Sequence, residues 1–151
     1  MARSWLRPLV LAPLWAVALG PVSGCSNPAG PAPGACTRET VLNTLTPIPA
    51  STHIVQSLTT NKTGRLNVTV DWKLDVNVMS AVLAQGPCTL DQFSANECNV
   101  IVDLFSPPKP LEDSTTWLRP GGYDLILGNF GLVPDTVAIN VTLSSAGCPT
   151  P

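Results

Sequence analysis

The chain has 151 residues, 44% of them hydrophobic and 12% charged, which suits one domain with appended segments better than two domains. Eight Lys and Arg against ten Asp and Glu give a net charge of -2, so no basic surface is available for a nucleic-acid backbone and we expect no nucleic-acid partner. Sixteen Pro and eleven Gly make the chain rich in turns without the composition of a disordered protein.

Residues 1–24 have the pattern of a secretion signal. Arg3 and Arg7 precede an uncharged apolar run from Pro8 to Val22. This run is shorter than the roughly 20 residues that a membrane-spanning helix needs. We therefore expect a cleaved signal peptide and no permanent membrane helix from this segment.

The apolar run ends in Val22, Ser23, Gly24 and Cys25, and these four residues resemble the lipobox of bacterial lipoproteins. The resemblance implies cleavage before Cys25, lipidation of the Cys25 thiol and acylation, for example with palmitate, which together anchor a protein stably. It predicts an extracytoplasmic protein held in the bacterial cell envelope through Cys25, at the outer membrane or cell surface. The alternative is ordinary cleavage near Gly24, which leaves Cys25 as a structural or free cysteine.

Residues 25–49 are predicted to form a tether. Ser26 to Ala35 contains no bulky apolar side chain that could pack on a core. Pro47 and Pro49 interrupt any long helix after Thr37, so we expect 37–49 to be irregular.

Residues 50–148 are predicted to form an antiparallel β-sandwich of the jelly-roll or Ig-like type. Apolar and polar residues alternate with a period of two, and helical spacing is hard to find. Gly, Pro and Asn clusters separate the candidate strands. Regularly spaced strands without intervening helices favour an all-β sandwich. The clearest candidate strands are 66–72, 74–78, 79–84, 100–104, 123–127 and 137–143.

Three segments, Gly64–Trp72, Asp75–Met79 and Leu118–Gly131, resemble bacterial pre-peptidase C-terminal domains. These are secreted β-sandwich modules that commonly accompany secreted proteases, so the resemblance implies the same fold and an accessory role. Asp75 and Asn77 stand where such domains usually carry paired acids. Independently of the family, Pro120 and the two following glycines predict a sharp turn, after which Tyr123 can bury its ring and hydrogen-bond the backbone across the corner.

The cysteine count fits an oxidising compartment. Five cysteines minus a lipidated Cys25 leave four, an even number. Three connectivities are open; we favour a local Cys88–Cys98 bond and a Cys36–Cys148 bond that ties the termini together. No zinc-type spacing is present, so we expect no metal site.

We expect no enzyme activity, no catalytic residues and no cofactor. His53 is the only histidine, and no Gly-x-Ser-x-Gly motif accompanies it. Two weaker alternatives are calcium ligation by Asp71, Asp75 and Asn77 and a sugar-binding row of aromatic residues. That row would comprise Trp72, Phe93, Trp117 and Phe130.

The sequence thus predicts a lipid-anchored envelope protein with a non-catalytic binding module. Its partner would be a glycan or an envelope protein, contacted through the loops 88–98 and 106–114, because a sandwich presents loops on a rigid frame. The alternative function is a small extracytoplasmic enzyme or an accessory module for a secreted protease.

Overall fold

The structure, a computed structural model, describes residues 34–105 and 109–149. Cys25 and the predicted signal peptide lie outside these residues. The described elements are β1 (Arg38–Ile48), β2 (Thr52–Thr60), β3 (Arg65–Trp72), β4 (Met79–Gln85), α1 (Leu90–Ser94), β5 (Asn99–Phe105), β6 (Leu111–Ser114), β7 (Gly121–Asn129) and β8 (Asp135–Ser144). None of the described helical residues forms a segment long and apolar enough to cross a membrane.

The strands form two antiparallel four-stranded sheets, in the orders β1-β8-β3-β6 and β2-β7-β4-β5. The predicted all-β antiparallel sandwich is confirmed. The core lies between the sheets, where alternate residues of β3 and β8 are buried while their neighbours face solvent. The fully buried members of these two strands include Leu66, Val68, Val70, Val137, Ile139 and Val141.

The prediction that residues 37–49 are irregular was wrong, and the sandwich begins before residue 50. β1 pairs with β8 from Arg38 to Ile48 and lies at the edge of its sheet. An edge strand tolerates Pro47 because a proline N–H is not needed on the solvent side. The proline signal therefore marked an edge strand, and of the predicted tether only residues 25–37 precede the first strand.

Two further segments differ from the sequence prediction. Residues 74–78 alternate like a strand but form the connection between β3 and β4. Of the predicted contact loop 106–114, the last four residues form β6, which pairs with β3. In both places, long-range hydrogen bonds decide the conformation, and local alternation does not report them.

A second, smaller core covers part of the outer face of the β2-β7-β4-β5 sheet. Val82, Ala84 and Ile126 are buried there with the half-buried Phe93 of α1. Thr89 begins α1 with a capping box, in which its hydroxyl accepts the Gln92 N–H and the Gln92 side chain accepts the Thr89 N–H. The segment 88–98 thus packs as a cover on the sheet.

Both favoured disulfides are formed. Cys36 and Cys148 are joined with their Cα atoms 4.4 Å apart, and Cys88 and Cys98 with their Cα atoms 5.6 Å apart. The predicted tyrosine corner is also present: Tyr123 is buried and its hydroxyl donates to the Arg119 carbonyl. Burial raises the pKa of Tyr123 above its usual value.

Candidate functional site at the loop end

Strand directions divide the connections of the sandwich between two ends, apart from the segment 86–98, which packs on the outer face of one sheet. We call residues 49–51, 73–78, 109–110 and 130–134 the loop end, because they join consecutive strands at one end of both sheets. We call residues 34–37, 61–64, 115–120 and 145–149 the terminal end, since both termini of the described domain and the Cys36–Cys148 bond lie there. The two ends differ in the side chains that they expose.

The loop end exposes large apolar side chains. Leu132 is 91% exposed, Val76 79% and Phe130 48%, and the adjoining Phe105, at the end of β5, is 62% exposed. Their segments are linked, because the Phe130 N–H donates to the Val78 carbonyl at 2.9 Å. Several exposed apolar residues gathered on adjoining loops are typical of a contact surface, whereas single ones need no explanation.

A buried carboxylate holds these loops in place. Asp135 accepts the backbone N–H groups of Lys73 at 3.2 Å, Leu74 at 3.0 Å and Thr136 at 2.7 Å, and the Asn77 amide at 2.9 Å. Burial by itself raises the pKa of Asp135, but these hydrogen bonds outweigh it and the pKa lies below its usual value. Asp135 therefore fixes the start of the 73–78 connection against β8.

Two asparagines complete this network. The side-chain amides of Asn77 and Asn129 both donate to the Val133 carbonyl, at 3.2 and 3.0 Å. Asn129 also accepts the Gly131 N–H at 2.8 Å. A side chain at Gly131 would overlap the Asn77 Oδ1 atom, so glycine is required where the two loops meet. The apolar residues of the loop end are thus carried on an ordered polar frame.

An aromatic cluster borders the loop end on the outer face of the β2-β7-β4-β5 sheet. The Phe130 ring meets the rings of His53 and Phe105 edge to face, each with centroids 5.3 Å apart. Gly128 lies between His53 and Ser80 on neighbouring strands. A Cβ on Gly128 would come within 2.7 Å of both side chains, so this glycine makes room for them.

A groove runs from this cluster toward α1. Its volume is about 420 Å³, and its lining combines hydroxyl groups, one imidazole and two apolar side chains: Ser51, Thr52, His53, Leu90, Phe93 and Ser94. None of these six residues carries a carboxylate or ammonium group. The groove can accommodate a neutral group that offers both apolar and hydrogen-bonding atoms.

A larger concave surface, of about 540 Å³, lies on the outer face of the other sheet. Polar residues of β3 and β8 face each other there, with Asn67 opposite Thr142 and Thr69 opposite Asn140. The Asn67 amide donates to Ser144 Oγ at 2.7 Å and to Thr142 Oγ1 at 3.3 Å. These side chains satisfy one another across the strands, which is the ordinary behaviour of a polar sheet face.

The structure does not bring the suggested calcium ligands together. Asp71 accepts the N–H of its neighbour Trp72, Asp75 pairs with Lys109 at 2.8 Å, and the Asn77 amide donates to Asp135. The hydrogen bond to Asp75 is the main cause that raises the pKa of Lys109. Within residues 34–105 and 109–149, no three His, Cys, Asp or Glu side chains cluster as a metal site would require.

The suggested aromatic row is dispersed as well. Trp72 is buried in the core and donates its ring N–H to the Asn77 carbonyl. Trp117 belongs to the terminal end, in the connection that precedes β7, and the Arg65 guanidinium lies 5.7 Å from its ring. Only Phe130 of the four belongs to the loop end, and its partner Phe105 was not singled out from the sequence. Sequence reasoning also missed Asp135, whose only local signal is a charged residue next to the turn residue Pro134.

Comparisons with known proteins show similarity at the level of the fold. No protein-family model matches the chain, and no curated protein matches it. Among solved structures it is similar to a Yersinia pseudotuberculosis-derived mitogen, with TM-score 0.50, 13% identity and coverage of 73% of this chain and 97% of that one. It is also similar to the pre-peptidase C-terminal domain of a collagenase from Bacillus anthracis, with TM-score 0.49, 16% identity and coverage of 66% and 89%. The similarity to the mitogen agrees with the two-sheet architecture and concerns the fold alone.

Proposed function

We propose that the protein is a lipid-anchored, non-catalytic binding module of the bacterial cell envelope whose loop end contacts an envelope protein. The observation that carries the proposal is the separation of two chemically different ends. The terminal end receives the chain from Cys36, whereas Leu132, Val76 and Phe130 are exposed at the loop end. Between the ends runs β1, whose 11 residues span about 36 Å at roughly 3.3 Å per residue.

Extracytoplasmic location follows from cysteine chemistry. The two disulfides fit an oxidising compartment and would not persist in the bacterial cytoplasm. The four lipobox residues that end in Cys25 support attachment to a membrane from the outside. Together they support an anchored protein that faces the periplasm or the cell surface.

The surroundings of His53 support a non-catalytic role. In the part of the chain that the structure describes, the His53 ring takes part in no hydrogen bond and packs against Phe130. A general base in a nucleophilic mechanism needs a hydroxyl or thiol on one ring nitrogen and an orienting group on the other. His53 has the environment of a packing residue.

Chain length favours a protein partner over the bilayer that holds the anchor. The eleven residue steps from Cys25 to Cys36 reach at most about 36 Å when fully extended. The loop end lies a further strand length from Cys36, so it could meet the same bilayer only with that segment almost fully stretched. Apolar side chains on a rigid polar frame are instead suited to insertion into a protein surface.

Cell fractionation tests the anchor. Cys25→Ser removes the thiol that would be lipidated, and we expect the full-length variant to move from the membrane fraction to the soluble extracytoplasmic fraction. Ser23→Thr, which keeps the cysteine, is the control and should remain with the membrane. Membrane retention of the Cys25→Ser protein would contradict lipid anchoring.

Photo-crosslinking tests the loop end. A photo-reactive amino acid at position 132 should capture one discrete protein in intact cells, and mass spectrometry then identifies it. The same amino acid at Leu45, which is 71% exposed on β1, controls for general accessibility. Equal capture from both positions, or capture of lipid alone, would overturn the proposed contact surface while leaving the anchor test unaffected.

A further inference from the structure

The two sheets have four edge strands, and three of them carry features that prevent pairing with another chain. β1 contains Pro47 and an extra residue, Val41, in its pairing with β8. β5 contains the exposed Asp103 and an extra residue, Ile101, in its pairing with β4. β6 has only four residues, two of them acidic. Prolines, bulges, charges and short length are the usual devices that protect sheet edges.

The fourth edge strand, β2, has none of these features. It runs for nine residues, Thr52–Thr60, without proline or charged residue. Its register with β7 continues from end to end without a bulge. Within the described residues β2 pairs with β7 alone, so the N–H and C=O groups of alternate residues point away from the sheet.

We propose that β2 is a self-association edge, which pairs antiparallel with β2 of a second copy with Gln56 on the two-fold axis. This pairing places Ile54 opposite Leu58 of the second copy. Ile54 is only partly buried in one copy, although it packs on the core that contains Leu58. The symmetric pairing extends that core across the axis and covers the exposed part of Ile54.

The composition of β2 selects a second copy as the occupant. A two-fold axis through an antiparallel strand pair sets the residue on the axis opposite its own equivalent, so a charge at that position would repel itself. β2 carries Thr, His, Ile, Val, Gln, Ser and Leu, none of them Asp, Glu, Lys or Arg. Gln56 on the axis can also exchange side-chain hydrogen bonds with the second Gln56, because an amide both donates and accepts.

Charge substitution at Gln56 tests the register. Two full-length copies with different tags are coexpressed, the membranes are solubilised, and retrieval of one tag through the other is measured. We expect retrieval with the wild-type pair and about tenfold less when both copies carry Gln56→Lys, since the two ammonium groups then face each other. A Gln56→Lys copy with a Gln56→Glu copy should restore retrieval.

Asn99 provides the matched control on the opposite edge of the same sheet, where Asn99→Lys in both copies should leave retrieval unchanged. Thermal unfolding of each variant separates loss of pairing from loss of folding. Absence of wild-type retrieval, or retrieval that survives Gln56→Lys in both copies, would overturn the proposal. Retrieval that is lost with Gln56→Lys and not restored by the mixed pair would also overturn it and point to a strand from another protein.

Discussion

The two ends of the sandwich are ordered by different means. At the terminal end a covalent bond joins Cys36 to Cys148, across 112 residues of sequence. At the loop end order comes from hydrogen bonds to one buried carboxylate, Asp135, and the surface above it is apolar. The first device acts chiefly by restricting the unfolded chain, and the second exists only in the folded state.

The difference indicates that the terminal end serves the stability of the domain and that the loop end serves contact with a partner. A disulfide holds the ends of the domain together whatever surrounds it, and the terminal end exposes no comparable apolar cluster among the described residues. The loop end must keep apolar side chains in water without letting its loops collapse onto them. The hydrogen bonds that converge on Asp135 serve that purpose because they fix the backbone without adding apolar cover.

The largest effect is expected from the terminal end. Replacing Cys36 and Cys148 together by Ser should lower the free energy of unfolding by about 4 to 5 kcal/mol in the chain-entropy model for a loop of this length. The Cys88–Cys98 bond encloses a much shorter loop, and the same double replacement there should cost about 3 kcal/mol. Urea unfolding of both double variants measures the difference. Equal losses would show that loop length does not govern the contribution.

At the loop end, Asp135→Asn should lower the free energy of unfolding by about 2 kcal/mol or more. The new NH₂ group is itself a donor, so it cannot accept the N–H groups that the carboxylate oxygen accepts. The depressed pKa adds a pH dependence. A folded-state pKa below the unfolded value of about 3.9 gives stability that is fully present above that value and is lost as the pH falls through the folded-state pKa. Urea unfolding from about pH 2 to about pH 6, a range that brackets the ordinary pKa of Asp, measures this effect. The wild-type protein should lose stability as the pH falls, and Asp135→Asn should lose less.

Asp75→Asn is the matched control at the same end of the domain. The Asp75 side chain is 88% exposed and pairs only with Lys109, so its loss should change the free energy of unfolding by less than about 1 kcal/mol. If Asp75→Asn destabilised the domain as much as Asp135→Asn, surface charge and not the buried network would order the loop end.

Gly128→Ala tests the aromatic border of the loop end. The added Cβ would approach His53 Cδ2 and Ser80 Oγ to 2.7 Å, and overpacking of this kind costs about 1 to 3 kcal/mol. Gly122→Ala, on the same strand with open space around it, should be neutral in comparison. Thermal unfolding distinguishes the two, and similar behaviour of both variants would show that His53 and Ser80 move aside freely.

The sequence alone predicts the parts of the fold that depend on the alternation of apolar residues and on the cysteines. Alternation located β3 and β8, and the positions of the four cysteines along the chain favoured both disulfides. Sequence reasoning misjudged β1, because a proline at an edge strand and a proline in a tether look alike. It also took 74–78 for a strand, since the carboxylate that bends this segment, Asp135, lies about 60 residues away in sequence. The loop end could not be predicted because it depends on those long-range hydrogen bonds.

The smallest effect on stability is expected where the effect on contact is greatest. Leu132 is 91% exposed, so Leu132→Asp should change the free energy of unfolding by about 0.5 kcal/mol or less. Leu45 on β1 is also largely exposed, at 71%, so Leu45→Asp should change the free energy of unfolding equally little. Only Leu132→Asp, however, should abolish capture of the partner protein by a photo-reactive amino acid at position 76, because a carboxylate then enters the apolar contact. If both variants left capture intact, the exposed apolar side chains would serve no contact, and the comparison between the two ends would reduce to stability alone.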